Sequence, residues 1–411
     1  MSHSFTEQSD AGKSANIMRL VFSGGLTALG DQITLIALSL YAFFQFESTL
    51  AVAALFGIRS AAGLVGLALR HMPDLVVTMR ALAGLDILRM LLMFAMIATV
   101  DVLWVLIALF FLQDVIGTLQ ASARMAMLSQ NAARPVRQAV NALDVTASQV
   151  MRMLGAIGAA AFFDLQNIGV FLGLNAVVFL LAALLLIAPI KVGLPSFVNA
   201  EAITQKQAAS PTDGAKAVEL QLLTIGNSLI SASIALFSVG IIPYLAEVLN
   251  DPQTGLSLLQ ASQFGGLTLA GLAIFTGLWV FSDRKAIVAG NALLGLATIL
   301  MAQSGVLFVL LVLGVFNGLC NMVSNSGARA RLMAIAPQEA LGGHMQVRVA
   351  LGALVSGIAA LASGWAIDAD IMKPASVLIF AGVGFAAYSV LYAIQPSTVR
   401  VERKNDVRTN A

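Results

Sequence analysis

Cysteine is almost missing from this 411-residue chain. Cys320 is the only one, so neither an intramolecular disulfide nor a cysteine-ligated metal site can form. Histidine is scarce and scattered (His3, His71, His344), which leaves a histidine metal centre without ligands. Charge is thin as well: 11% of residues are Asp, Glu, Lys or Arg and 59% are hydrophobic, against roughly 25% charged in an ordinary soluble domain. No G-x-x-x-x-G-K-[ST] loop occurs, and Gly12-Lys13-Ser14 lacks the earlier glycine and a strand before it. ATP-driven transport by this chain alone is therefore excluded. Neither H-E-x-x-H nor G-x-S-x-G is present, so a membrane hydrolase has no catalytic set, and the chain is read as not an enzyme. Channel signatures, rings of charge or a carbonyl filter, are missing too. No cofactor, no metal and no nucleic-acid partner is expected. Residues 1–13 are polar, without the apolar stretch of a signal peptide.

What the chain has in abundance is long apolar runs. About 20 residues at 1.5 Å rise span a hydrocarbon core of ~30 Å, and twelve such segments can be drawn: 18–44, 48–70, 79–99, 102–128, 138–163, 167–189, 220–247, 256–281, 285–303, 305–333, 341–367 and 372–395. The expected fold class is an all-α polytopic membrane protein of twelve transmembrane helices in two pseudo-symmetric six-helix halves. The polar stretch Lys191–Glu219, with Ser210-Pro211-Thr212-Asp213-Gly214, reads as a solvated linker. Expected domains are a tail (1–17), an N-terminal half (18–189), a linker (190–219), a C-terminal half (220–395) and a second tail (396–411).

Basic residues fall on one side of this layout: Lys13, Arg19, Arg70, Arg80, Arg124, Arg134, Arg137, the linker Lys191, Lys206 and Lys216, Arg284, Lys285, Arg329, Arg331 and the tail Arg400, Arg403, Lys404 and Arg408. The alternate loops carry Glu47, Asp101, Asp164, Glu247, Asp251, Asp368 and Asp370 against a single Lys373. The positive-inside rule then predicts cytoplasmic termini, in a bacterial inner membrane. Trp104, Trp365, Tyr41 and Tyr244 on one side, and Trp279, Tyr388 and Tyr392 on the other, are read as interfacial aromatics.

The halves match weakly. Gly30-Asp31-Gln32 aligns with Gly226-Asn227-Ser228, and Ala121–Ala126 with Ser326–Arg331, each placing one helix on the helix six further along. Parallel repeats of this kind put a substrate site near mid-membrane between the halves. Four charges are expected close to that depth: Asp31, Arg59, Asp114 and Arg152. A mid-membrane charge costs at least ~2.5–3.5 kcal/mol, so it should face protein or a water-filled cavity. Asp31 and Asp114 are the candidate proton carriers, and two fixed Asp–Arg pairs are the alternative. Candidate substrate-binding residues are Arg59, Arg152, Gln113, Gln120, Asn227, Asn317 and Asn321. Gln113, Gly117, Gln120 and Arg124 form one stripe, and Asn317, Asn321 and Asn325 another. Such faces should point to protein or cavity rather than lipid. Asp86 and Arg89, three apart, read as a local ion pair nearer the basic side. Candidate gating residues are Asp74, Arg80, Asp144, Asp283, Arg284 and Arg348, with Asp144 and Arg348 at comparable inner depth and assigned to a gate between the halves.

The chain resembles the major facilitator superfamily, and within it the branch of enterobactin exporters and macrolide efflux pumps. Ser23–Leu38 with Gly30-Asp31, and the stretch from Arg134 to Leu185 with Asn141-Ala142, Gln149–Gly155 and Phe171-x-x-x-Asn175-x-x-x-Phe179, carry the likeness. The family's loop motif G-x-x-x-D-R-x-x-R-R survives as Asp74 and Arg80, and better as Gly277 with Asp283-Arg284-Lys285. The helix-five exporter motif is reduced to Gly155-Ala156-Ile157-Gly158, without its proline. The resemblance implies a monomeric secondary transporter in the lipid bilayer, exporting a small organic molecule such as a siderophore or drug in exchange for protons. Open alternatives are a proton symporter or facilitator that imports a metabolite, and a non-transporting receptor or assembly factor.

Overall fold

Hydrophobic runs of this length become helices because, in lipid, the backbone must satisfy its own hydrogen bonds. The structure is a computed structural model and describes residues 2–68, 78–131, 137–162, 167–188, 213–279, 281–335 and 341–395. Among them are twelve α-helices: α1 (Ser2–Phe46), α2 (Thr49–Ala68), α3 (Met79–Ala98), α4 (Leu103–Asn131), α5 (Arg137–Phe162), α6 (Ile168–Ile187), α7 (Asp213–Val248), α8 (Pro252–Phe275), α9 (Asp283–Met301), α10 (Leu307–Ile335), α11 (Leu341–Asp368) and α12 (Pro374–Ile394). Ten of these are long and apolar enough to cross a membrane, and the chain is a multi-pass membrane protein.

The other two are α2 and α5, both of which run along the boundary between the halves, α2 on α11 and α5 on α8. Helix α5 carries Asp144, Gln149 and Arg152 in its span, which lowers its apolar signal, whereas α2 is apolar but short, its apolar stretch among the described residues running over Thr49–Val65. Helix α7 begins at Asp213 rather than at the apolar run from 220. Helix α8 ends at Phe275 instead of 281, because Gly277 takes φ +73° and the Trp279 amide donates back to Ala273 O at 3.1 Å.

An even number of antiparallel helices puts the start of α1 and the end of α12 at one end of the bundle, here the terminal face; the opposite end is the far face. Small residues set the closest approaches. A Cβ at Gly318 would run into the backbone of Gln263, and one at Gly266 into that of Val315, so α8 and α10 cross almost in backbone contact.

The apolar core is asymmetric along this axis. Its largest cluster joins both halves, with Ile36, Leu40, Val52 and Leu55 packed together with Ile241, Leu245, Leu256 and Leu259. At the terminal face the halves have separate cores. Leu20, Leu82, Leu128 and Leu186 belong to one, and Leu223, Ile287, Leu332 and Tyr392 to the other. At the far face, Asp368 at the end of α11 accepts from Ser48 Oγ (2.6 Å) and from the amides of Thr49 (2.7 Å) and Leu50 (2.9 Å) at the start of α2. The halves are thus joined at the far face, while at the terminal face each closes on itself.

The three tryptophans are exposed as expected of interfacial residues. The four tyrosines turn toward protein instead of the surface. All are buried, and three hydroxyls have found protein acceptors: Tyr41 on Asp101 (3.0 Å), Tyr244 on Met301 O and Ser304 O (both 3.0 Å), and Tyr392 on Glu219 (2.8 Å). A buried phenol needs such a partner.

Candidate functional site

A cavity of about 480 Å3 lies between the halves. The N-terminal half contributes Gln32, Leu35, Phe56, Arg59, Ser60 and Arg152; α7 and α8 contribute Ser231, Phe237, Ser238, Gln260, Gln263 and Phe264; α10, α11 and α12 contribute Asn317, Asn321, Ser356 and Phe385. Among the described residues the lining has aromatic walls, amides and hydroxyls, two arginines and no acidic side chain. A concave, mostly apolar site with a few convergent polar groups is what holds a small organic molecule.

The two arginines differ. Arg59 Nε lies 3.3 Å from Asp114 Oδ2, with Arg59 about one-third exposed. Arg152 makes no hydrogen bond or ion pair with any described residue, although Asp31 and Asp114 are within Coulombic reach. It reaches the cavity because α5 packs tightly on α1. A Cβ at Gly155 would lie 2.9 Å from Leu29 O and 3.3 Å from Gln32 Cβ. One turn back from Gly155 on α5 is Arg152.

Asp31 is held by a different cation from either of these. Its carboxylate pairs with Arg89 of α3, which is 1% exposed. Arg89 also donates to Gln120 Oε1 (3.3 Å) and lies 4.3 Å over the Phe179 ring. Gln113, its amide oxygen turned toward Arg89, accepts from Nε at 3.0 Å and from Nη2 at 3.3 Å. Gln120 in turn donates to Asp86 Oδ1 at 2.6 Å, while Asp86 Oδ2 is buried without a partner. Asp86 and Arg89 are therefore not a local pair. Both point inward, and Gln120 bridges them. Gly30 makes this possible, since a Cβ there would strike Asn175 and Phe179 and push α1, with Asp31, away from α6.

Several expected assignments change with this geometry. Gln113 and Gln120 do not line the cavity; they are ligands of the buried Arg89. Asn227 also lies outside it, donating to Arg348 O at 3.0 Å. Of the two stripes, that on α10 faces the cavity through Asn317 and Asn321, and that on α4 faces α3. Asp144 and Arg348 do not meet. Asp144 lies 3.7 Å from Arg124 within its own half, and Arg348 stays buried beside α7 with its Nε unpartnered. The separate cores of the terminal face keep these residues apart. Arg284 donates to Ala393 O (2.8 Å) and to Gln395 O, anchoring α9 to the end of α12. Asp283 is half-buried and Arg80 is exposed. Asp74 lies outside the described residues.

Four features were missed in the sequence. Arg89 was assigned to its nearest acid along the helix. Gln260 and Gln263, on one face of α8, carry a visible Q-x-x-Q signal, and Gln32 donates to Gln260 across the halves. Glu219 accepts from Arg331 at 2.6 and 2.7 Å and from Tyr392, tying α7, α10 and α12 together. Asp368 was read as a loop acid.

Comparison with protein-family models and with curated proteins gives no match. Solved structures do match over nearly the whole chain. A POT family transporter in complex with a thioalcohol-conjugated peptide aligns with a TM-score of 0.73 at 13% identity, covering 92% of this chain and 95% of its own. The nucleoside transporter NupG aligns with a TM-score of 0.64 at 14% identity, over 92% and 97%. A bacterial homologue of the human lysosomal transporter Spinster, in an inward-facing and unoccupied conformation, gives 0.63 at 13%, over 94% and 96%. This is the major-facilitator fold. At such identities the likeness fixes the architecture and leaves the branch open.

Proposed function

We propose that this protein is a proton-coupled secondary transporter of small amphiphilic organic molecules that bear an anionic group. The observation that carries the reading is Arg152, a cation facing a cavity with aromatic walls and, among the described residues, neither an acid in its lining nor a hydrogen-bond or ion-pair partner for that arginine. A carboxylate or similar head would pair with it, and Phe56, Phe237, Phe264 and Phe385 would take the apolar body. Alternating access supplies the cycle. The far face is closed by a shared core and by Asp368, so the cavity would exchange with the terminal side in this conformation.

Electrostatics sets the sign of proton coupling. If a substrate anion draws Arg59 away, Asp114 loses its counter-charge and gains proton affinity. Proton and anion then bind better together than apart, which is symport. Asp31, bound to Arg89 away from the cavity walls, is the candidate second carrier. Proton-driven export of a siderophore or drug, the direction implied by the resemblance of helix one and residues 134–185, is the second reading. It requires substrate and proton to compete, for example through a substrate donor that binds Asp114 directly.

The test is substrate-induced proton movement in vesicles, with a series of aromatic carboxylates as probes, for wild type, Asp31→Asn and Asp114→Asn. Symport predicts proton uptake with the anion and accumulation that collapses with an uncoupler. Antiport predicts opposite proton movement and cellular accumulation that rises with an uncoupler. Wild-type coupled transport in both variants would refute the carboxylate mechanism.

A further inference from the structure

A second and larger concavity, about 730 Å3, lies on the outside of the C-terminal half between α9 and α10 at the terminal face. Its walls are Leu293, Phe316, Leu319 and Val323, with Trp279 and Phe281 from the α8–α9 connection at its end. Small residues, Ala286, Ala289 and Gly290, form its floor, which is why the surface is hollow there. Arg284 and Lys285 sit at the same end as Trp279. Lys285 is exposed and makes no ion pair or hydrogen bond with a described residue. Arg284 spends one nitrogen on the α12 carbonyls of Ala393 and Gln395. Among the described residues no acidic side chain lines the groove. Asp283, next in sequence, lies within electrostatic reach of Arg331 and Glu219 on the protein side.

We propose that this groove binds an anionic phospholipid of the surrounding bilayer, with one acyl chain along α9 and α10 and the phosphate between Arg284 and Lys285. The apolar length suits a chain, the tryptophan marks headgroup depth, and two cations without an acid select a net negative head over a zwitterion. A basic residue near an anionic membrane surface is worth about fivefold in binding. The site is independent of the central cavity and of the transport reading.

The experiment is native mass spectrometry of the full chain titrated with phosphatidylglycerol or phosphatidylcholine of identical acyl chains. Wild type should bind phosphatidylglycerol roughly 5- to 25-fold more tightly than phosphatidylcholine. Lys285→Gln should lose about fivefold for phosphatidylglycerol and nothing for phosphatidylcholine. Ala289→Trp, an exposed position on the groove floor, should weaken both lipids, with lipid-free melting unchanged. Equal affinity for the two lipids, or unaltered binding in either variant, would overturn the proposal.

Discussion

Removal of the Asp368 carboxylate tests the reading of the far face most directly. Asp368 closes the structure there by accepting three hydrogen bonds from the start of α2, in the other half. The same helix start keeps a cap of its own, because Ser48 Oγ accepts from the Ala51 amide at 3.2 Å. In Asp368→Ala, α2 should therefore still fold, and what is lost is the tie between halves. Asp368 is solvent-exposed, so the full strength of buried charged bonds does not apply. An acidic cap at a helix N-terminus is worth about 1–2 kcal/mol. Because that contact exists only with the far face closed, the closed-to-open ratio should fall roughly 5- to 30-fold. A single cysteine at Ser238 on the cavity wall, in a Cys320→Ser background, reports the change through labelling by a membrane-impermeant maleimide from each side. Asp251→Ala is the control. Asp251 caps α8 through the Thr254 amide at 3.0 Å but bridges nothing between halves. Labelling from the far side should rise in Asp368→Ala and not in Asp251→Ala. Equal far-side labelling in the two variants would refute the latch.

Arg152→Gln should lower transport of anionic probes at least tenfold with the folded, inserted protein retained in a melting assay, since Arg152 makes no hydrogen bond or ion pair with a described residue; loss of folding would instead mark it as structural. Arg89→Met should cost about 3–5 kcal/mol by leaving Asp31 and Asp86 without their cation, and the triple variant with Asp31→Asn and Asp86→Asn should recover most of it in a thermal-melting assay. Gly318→Val should destabilise the α8–α10 crossing by more than about 2 kcal/mol, read by the same assay. Hydrogen bonds from Thr254 hold the Asp251 carboxyl below its ordinary range. Its contribution should therefore be complete above about pH 4 and fade as pH falls through the folded value, and Asp251→Asn should remove that acid-side slope from a pH–stability curve.

The α4 and α10 stripes show where reading along the chain works and where it stops. Both are amide-rich at helical spacing, and both were expected to avoid lipid, as they do. Which buried surface each faces was not legible. The α10 stripe meets the cavity, whereas the α4 stripe meets Arg89, a residue from another helix. The Arg89 error has the same origin, because a helical neighbour three residues away is visible in sequence and Asp31 of α1 is not.

Hydrophobicity and length alone determined the twelve helices, because the bilayer imposes a rule that each segment must satisfy by itself. Charges within the apolar segments stood out in the sequence for the same reason, being costly wherever they face lipid. Partner choice, cavity lining and the closed far face were decided only by tertiary structure. They depend on which helix faces lie together, and that is set by close contacts such as Gly30 on Asn175 and Gly155 on Leu29, between residues distant in the chain.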